Sequence, residues 1–423
     1  MSKYVIIGAS AAGLAVAEEI RKTDKTGEIT LLTKEIYYPY SRPSISYYLK
    51  GKVKDTDIFL RKATFYKSNR INLVTDCEVK SIDRENKKVK AGRKEYPYDK
   101  LCICTGSKPF VPPMENVSGK SNTYTFLDLE SVKNIKKAAD ENTKAVVIGA
   151  GLIGMKAAEG LSKVCKSVDV VELAPRVLPS ILDAKSAKSV KKFLETEGKI
   201  KFHLGNTVVK AKSKGRKITS VILKDGKEIK CDMLVIAVGV RPETTLAEEA
   251  GLTVDRGIIT DPATMQTSDE SIYAAGDCTV SVDMLDGSKR IIALWPNAVQ
   301  QGTAAGSQMA GGDVKIDGTY SVNAIDFYDD LRICTCGLIN AQGDKYTDKI
   351  KTDGDVYKRL VFEENHLVGF VLINCSDNAG IYTSLIENRV DLTQLQGDIM
   401  DDPSLFLFSK EVRTQKLTGG LEL

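Results

Sequence analysis

Two segments of this 423-residue chain carry the same glycine spacing after an apolar run. Gly8-Ala9-Ser10-Ala11-Ala12-Gly13 follows residues 4–7, and Gly149-Ala150-Gly151-Leu152-Ile153-Gly154 follows residues 145–148. The spacing predicts a buried strand, a tight turn and a helix that opens on the turn, so that free backbone N–H groups and the positive end of the helix dipole converge there. Such a point binds a pyrophosphate. One motif of this kind is a weak signal, but two, each between a strand and a helix, predict two dinucleotides held by one protein. Flavin chemistry with a nicotinamide donor is the obvious reason to hold both.

Other residues refine the picture. Glu172 ends the second strand of the second unit, 23 residues after Gly149, where a carboxylate accepts hydrogen bonds from the adenosine ribose. A carboxylate there repels a 2′-phosphate, which predicts NADH rather than NADPH, with nearby Arg176 softening the preference. The equivalent place in the first unit holds Thr33, then Lys34 and Glu35, and leaves the first ribose contact open. Ser10 replaces the middle glycine, placing a Cβ where backbone approaches phosphate while adding a hydroxyl. Asp277 follows the apolar run 271–275 at the predicted C-terminal end of a parallel strand; alone, it reads equally well as a turn or cap residue. The segment from Trp295 to Gly302 opens a helix whose N-terminus is suited to negative charge on a reduced flavin, although a helix begun by proline is also ordinary.

The elements that must position these residues form two similar halves. The first runs from strand 3–7 through helix 11–22 to strand 29–32, then a Tyr- and Pro-rich stretch at 37–43. Its exit strand, 101–104, ends in Thr105-Gly106-Ser107-Lys108-Pro109. The second has strand 145–148, helix 152–164 and strand 168–171, and leaves through 233–238 into Gly239-Val240-Arg241-Pro242. This is an internal duplication. After about residue 318 the pattern changes to short alternating strands, 357–362 and 367–373, and a helix near 379–388. The fold class expected is α/β: two Rossmann-like dinucleotide-binding domains plus a C-terminal α+β interface domain. The boundaries expected are 1–112 and 245–318 for the first nucleotide, 113–244 for the second and 319–423 for the last module. The tail from Asp401, with the apolar run 405–408, is expected to pack on a partner or on the body of the protein.

Composition excludes several classes. Sixty Lys and Arg against 56 Asp and Glu leave a net charge of +4 with no basic block for nucleic acid. The longest apolar stretches, such as 145–155, are too short to span a bilayer. A strand at the very start leaves no room for a signal peptide, so a cytoplasmic protein is expected. The nine cysteines form no C-x-x-C and predict neither a redox dithiol nor a metal site; Cys102/Cys104 and Cys334/Cys336 are close pairs read as small buried hydrophobes. His203 and His366, the two histidines, read as structural. The reactive centre must therefore come from a bound cofactor.

Taken together, both glycine turns, Cys104-Thr105-Gly106, Gly239-Val240-Arg241-Pro242, Ala275-Gly276-Asp277, Lys358-Arg359-Leu360-Val361 and Leu367-Val368-Gly369-Phe370 resemble the FAD-dependent pyridine nucleotide-disulfide oxidoreductases that lack the disulfide. The likeness is to NADH:rubredoxin reductases and the flavin part of assimilatory nitrite reductase. It implies an FAD domain in two pieces, an inserted NAD domain and an interface module that makes a homodimer or joins a complex. FAD contacts are implied for Gly8, Ser10, Ala11, Ala12 and Gly13, and for Thr33, Lys34, Glu35, Arg42, Pro43 and Val79. Later in the chain they are implied for Cys104, Thr105, Gly106, Gly276, Asp277, Pro296, Asn297 and Ala298. NAD contacts are implied for Gly149, Gly151, Leu152, Ile153, Gly154, Glu172 and Gly239.

The chain departs from the resemblance in two places. Relatives often place a Lys after the Arg-Pro-x-x-Ser segment, paired to a Glu in the second glycine helix; here the positions hold Tyr47 and Lys156. The ion pair is expected to be lost, leaving a lone Lys156 that favours negative charge on the flavin, touches substrate or turns to solvent. Tyr47, Lys156 and Arg42 are expected to flank the flavin, with Arg42 alternatively anchoring its phosphates. Where thiol-dependent relatives carry a redox cysteine, this chain has Ser41, Ser44 and Ser46, so a sulfur-mediated route is not expected. The activity implied is hydride transfer from NADH to FAD, then electron delivery to rubredoxin or a partner reductase subunit. A self-contained NADH oxidase or small-molecule reductase, and a redox-sensing protein resembling apoptosis-inducing factor, are the alternatives.

Overall fold

The computed structural model describes residues 1–394 and 398–404; the apolar run 405–408 lies outside the described residues. In chain order the first half contributes β1 (Lys3–Ile7), α1 (Ala11–Thr23), β2 (Glu28–Leu32), α2 (Ile45–Leu49), β3 (Ile71–Val74) and β4 (Lys100–Ile103). The second contributes β5 (Thr123–Thr125), α3 (Leu129–Ala138), β6 (Lys144–Ile148), α4 (Leu152–Ser162), β7 (Ser167–Glu172), α5 (Ala184–Thr196), β8 (Ile200–Leu204) and β9 (Met233–Ile236). β10 (Ile272–Ala274) and α6 (Trp295–Met309) follow. The last module holds β11 (Val322–Phe327), β12 (Leu331–Gly337), β13 (Tyr346–Asp353), β14 (Val356–Glu363), β15 (His366–Ile373) and α7 (Ala379–Glu387).

The two nucleotide-type sheets are parallel and repeat one plan. The first has the order β10-β4-β1-β2-β3 and the second β8-β7-β6-β9-β5. β10 therefore returns, after the whole second sheet, to pair with β4, Ile272 opposite Leu101. The central strands β1 and β6 read as unbroken apolar runs because both of their faces are covered, and from Tyr4 to Ile7 and from Ala145 to Ile148 they are buried. The third sheet, β11-β12-β15-β14-β13, is antiparallel. The two exit segments meet as a short ribbon, Ser107–Pro109 against Val240–Pro242, and the Arg241 guanidinium lies 4.0 Å from the centre of the Phe110 ring.

Small residues bring α6 to α1. A Cβ on Gly302 would stand 2.4 Å from the Ala12 carbonyl oxygen, and one on Gly306 would stand 2.6 Å from that of Val16. The close crossing sets the middle of α6, at Gly302, against the first turn of α1 at Ala12.

Away from this junction two helix starts, those of α3 and α5, are capped in the ordinary way. Asp183 caps α5, accepting from the N–H groups of Lys185 and Ser186, and also accepts from the Tyr357 hydroxyl of β14 at 3.1 Å. Burial alone would raise the Asp183 carboxyl, but hydrogen bonds from Ser186 and Tyr357 outweigh it and hold it below the ordinary carboxylate value. A depressed carboxyl stabilises the fold above its unfolded pKa, and that stability is lost as pH falls through the folded one. Asp183→Ala is expected to cost about 1–2 kcal/mol at pH 7, with the difference from wild type shrinking at pH 3. Thermal melting at the two pH values checks this; an equal deficit at both would contradict it.

Candidate functional site

A cavity of about 1020 Å³ opens where the first sheet, α2, α4, α6 and β11 come together, at the upper end of the size range of small-molecule sites. Its wall is made by the ends of strands and the beginnings of helices. Among the described residues, five helices have ten residues or more. The two whose first turns do not line it, α3 and α5, are capped by Asp128 and Asp183. The three whose first turns line the cavity, α1, α4 and α6, have no side-chain cap. Their N–H groups and positive dipole ends are left for an anionic ligand.

The glycine turns have geometric causes. Gly8 has φ +104°, and a Cβ there would stand 2.0 Å from the Cys104 carbonyl oxygen; Gly149 repeats this with φ +104° and 2.3 Å to the Ala237 oxygen. Gly13 and Gly154 seat each helix against its own turn, 1.8 and 2.0 Å from the Gly8 and Gly149 oxygens. Gly151 faces open space, where a phosphate would approach the backbone.

Of the residues singled out for FAD, all but Gly13 and Asn297 line the cavity. Gly13 acts from beneath, through the packing just described. Asn297 is buried, and its amide donates to the Tyr320 carbonyl at 3.2 Å, so it ties α6 to the last module instead of facing the cavity. Ser10 has a use that its departure from glycine did not disclose: its hydroxyl accepts from Arg42 Nε at 3.2 Å. Arg42 also binds the Glu35 carboxylate and donates to the Leu127 carbonyl. Arg42 therefore lies over the first glycine turn. Burial raises the Asp277 carboxyl, while the Ser107 hydroxyl at 2.9 Å and the charge of Arg42 oppose the shift. The neighbouring Cys102 sulfur at 3.5 Å and burial push the Cys104 thiol well above its ordinary value.

Of the residues singled out for NAD, Leu152 and Ile153 line the cavity, whereas Gly149, Gly151, Gly154, Glu172 and Gly239 do not. Glu172 accepts from the N–H of Ala150 at 2.6 Å and of Ala174 at 2.7 Å, which fixes its carboxylate beside the second turn. Arg176 points away from it: the guanidinium donates to the Leu182 and Pro179 carbonyls.

Tyr47 and Lys156 both line the cavity and form no ion pair with each other, but an ion pair lies close by on the same two helices. The pair is displaced by one helical turn on both partners, to Lys50 on α2's C-terminal side and Glu159 on α4. Lys50 Nζ lies 2.6 Å from Glu159 Oε1, and neither side chain has exposed surface. Lys156 is not alone either. Its Nζ is 2.8 Å from Glu159 Oε2, an ionic contact not aligned as a hydrogen bond, and donates to the Asp326 carbonyl at 2.7 Å. The Tyr47 hydroxyl donates to the Asp326 carboxylate. Lys50, Glu159 and Asp326 were not singled out from sequence. A three-residue offset from Tyr47 and from Lys156 is the signal that points to the first two; nothing local points to Asp326.

A half-buried carboxylate for hydroxyl groups, an arginine over the first turn and three uncapped helix starts fit FAD, and Glu172 beside the second turn fits a nicotinamide nucleotide. The family model for pyridine nucleotide-disulphide oxidoreductases matches residues 2–302. An NADH oxidase of Methanocaldococcus jannaschii is 38% identical over 349 residues, 79% of this chain and 76% of that protein. A rubredoxin-NAD(+) reductase of Pseudomonas putida is 30% identical, over 89% of this chain and 97% of its own length. The structure of an NAD-dependent persulfide reductase from A. fulgidus superposes with a TM-score of 0.83 at 29% identity, over 93% of this chain and 78% of that one. The chain belongs to the pyridine nucleotide-disulphide oxidoreductase family and is an FAD oxidoreductase dependent on NAD(P)H.

Proposed function

We propose that the protein takes hydride from NADH onto FAD held in the cavity and passes the electrons to a small redox protein such as a rubredoxin, or to a partner reductase subunit. The carrying observation is the convergence of three uncapped helix starts on one cavity. Bound there, FAD accepts electrons as a hydride and releases them singly. The chain's own residues bind and orient. Arg42, the Gly8 turn and the start of α1 hold the pyrophosphate; Asp277 accepts from hydroxyl groups of the sugar chain; the start of α6 faces negative charge on the ring system. Glu172 holds the ribose of NADH. Residues 1–112 and 245–318 form the FAD unit in this reading, 113–244 the NAD unit and 319–423 an interface module for a homodimer or complex. No helix among the described residues is long and apolar enough to cross a membrane, and nine unpaired cysteines suit a reducing cytoplasm.

Two observations support a partner protein as acceptor. The rubredoxin reductase likeness spans nearly that whole protein. The serines in place of a thiol are tied into their own turn, Ser44 to Ser41 at 2.8 Å and Ser46 to the Pro43 carbonyl at 3.2 Å. The 38% identity to an NADH oxidase favours oxygen as a second reading. Steady oxygen consumption without a partner, faster than reduction of an added rubredoxin, would select it.

Anaerobic stopped-flow reduction tests the donor. With Arg176 turned away, bound flavin is expected to bleach with NADH at least about tenfold more efficiently than with NADPH, a difference of about 1.4 kcal/mol. Glu172→Ala is expected to erase most of that preference. Equal efficiencies in the wild type would remove Glu172 from the proposed role.

A further inference from the structure

Four charged side chains meet where α2, α4 and β11 join. Lys50 and Glu159 are fully buried, Lys156 is 12% exposed and Asp326 is 25% exposed. Lys156 Nζ lies between the two carboxylates, 2.8 Å from Glu159 and 3.8 Å from Asp326 Oδ1. The aromatic faces around them add to the enclosure: the Tyr47 ring centre is 5.1 Å from Lys156 Nζ and 4.8 Å from Lys50 Nζ, and the Phe327 ring centre is 5.0 Å from Lys156 Nζ. The next charges outward, Lys52 and Asp329, are exposed and pair with each other. Two ammonium groups and two carboxylates sum to zero, and Asp326 is what brings the sum there.

Asp326 arrives from the last module on a hairpin that holds itself against strain. Tyr328 (φ 56°) and Asp329 (φ 70°) are both left-handed, in a turn that Asn-Gly would adopt without cost. The turn is pinned to α4, with the Tyr328 N–H donating to Glu159 Oε1 at 2.8 Å and its hydroxyl bonded to that of Ser162 at 2.7 Å. Strain of this kind persists where surrounding contacts over-determine a position.

We infer that Asp326 is a positioning residue: it holds Tyr47 and Lys156 on the cavity wall and cancels the positive charge that the lysines would otherwise present to a bound flavin ring, so that the C-terminal module sets the flavin's reduction potential. This rests on the reading of the cavity as an FAD site. The reduced cofactor carries more negative charge than the oxidised one, and an uncancelled cation beside it in a poorly solvated site would favour reduction.

Redox titration of the FAD-loaded protein tests it. Asp326→Asn removes the charge but keeps the shape and the backbone carbonyl that Lys156 uses. It is expected to favour reduction about tenfold, a rise of about 30 mV for a two-electron couple. Lys156→Met is expected to shift the equilibrium about tenfold the other way, and Tyr47→Phe, which changes no charge, to shift it less than about twofold. Opposite signs cannot come from general loosening of the fold. Shifts of the same sign in the first two variants, or none above about twofold in either, would overturn the inference while the FAD site stands. A wild-type protein that binds no flavin would overturn the site itself.

Discussion

Glu159→Ala is expected to destabilise the protein by about 3–5 kcal/mol, the largest effect of any single side chain around the cavity. Glu159 has no exposed surface, and its Oε1 takes both the Lys50 ammonium and the Tyr328 N–H while Oε2 faces Lys156. Deleting it strands the Lys50 ammonium in a site that water does not reach, leaves Lys156 to Asp326 alone, and frees the strained hairpin from α4. The cost is the penalty of unpaired buried charge, larger than the net worth of the pair. Replacing both partners, Lys50→Met with Glu159→Leu, is therefore expected to recover much of the loss, because Lys156 keeps Asp326 and no buried charge is then left without a partner. Thermal melting of the FAD-loaded variants measures both. A single-variant loss below about 1 kcal/mol, the range of exposed ion pairs, would mean that water reaches the cluster.

The second large effect is expected from Gly8→Ala. The residue combines φ +104° with a Cβ position 2.0 Å from the Cys104 carbonyl oxygen. Backbone strain of about 1–2 kcal/mol adds to a collision with main chain, which no rotamer relieves. The turn must open, separating β1 from the end of β4, and with it the start of α1. The protein is expected to purify without FAD, read as loss of the flavin absorbance bands, even where far-UV circular dichroism shows it folded. Ser10→Gly is the control. It removes only the hydroxyl that accepts from Arg42, and flavin is expected to remain bound. Full flavin content in Gly8→Ala would mean that the turn does not carry the pyrophosphate.

Much of this arrangement is legible in the chain because it is local. Strand, glycine turn and helix start are neighbours in sequence, so the φ value at Gly8, the packing at Gly13 and the dipole of α1 follow from residues within one short segment. Glu172 is legible for the same reason: it ends the strand paired with β6, and its position relative to Gly149 is set by one strand–helix–strand unit. The expected helix over 152–164 ends at Ser162, a boundary shift of the usual size at a frayed terminus.

What sequence by itself determined is therefore the class of chemistry: two glycine turns, each between a strand and a helix, and a cofactor-borne reaction in the pyridine nucleotide-disulphide oxidoreductase family. Tertiary structure alone decided the charge beside the cavity. Tyr47 and Asp326 are 279 residues apart, and Lys50 and Glu159 are 109 apart; pairing them depends on how α2, α4 and the last module pack, which no local pattern encodes. The same reason explains Arg42. Its loop is readable, but the place of the guanidinium over the first glycine turn depends on Ser10, Glu35 and Leu127, which the fold brings together from three separate elements.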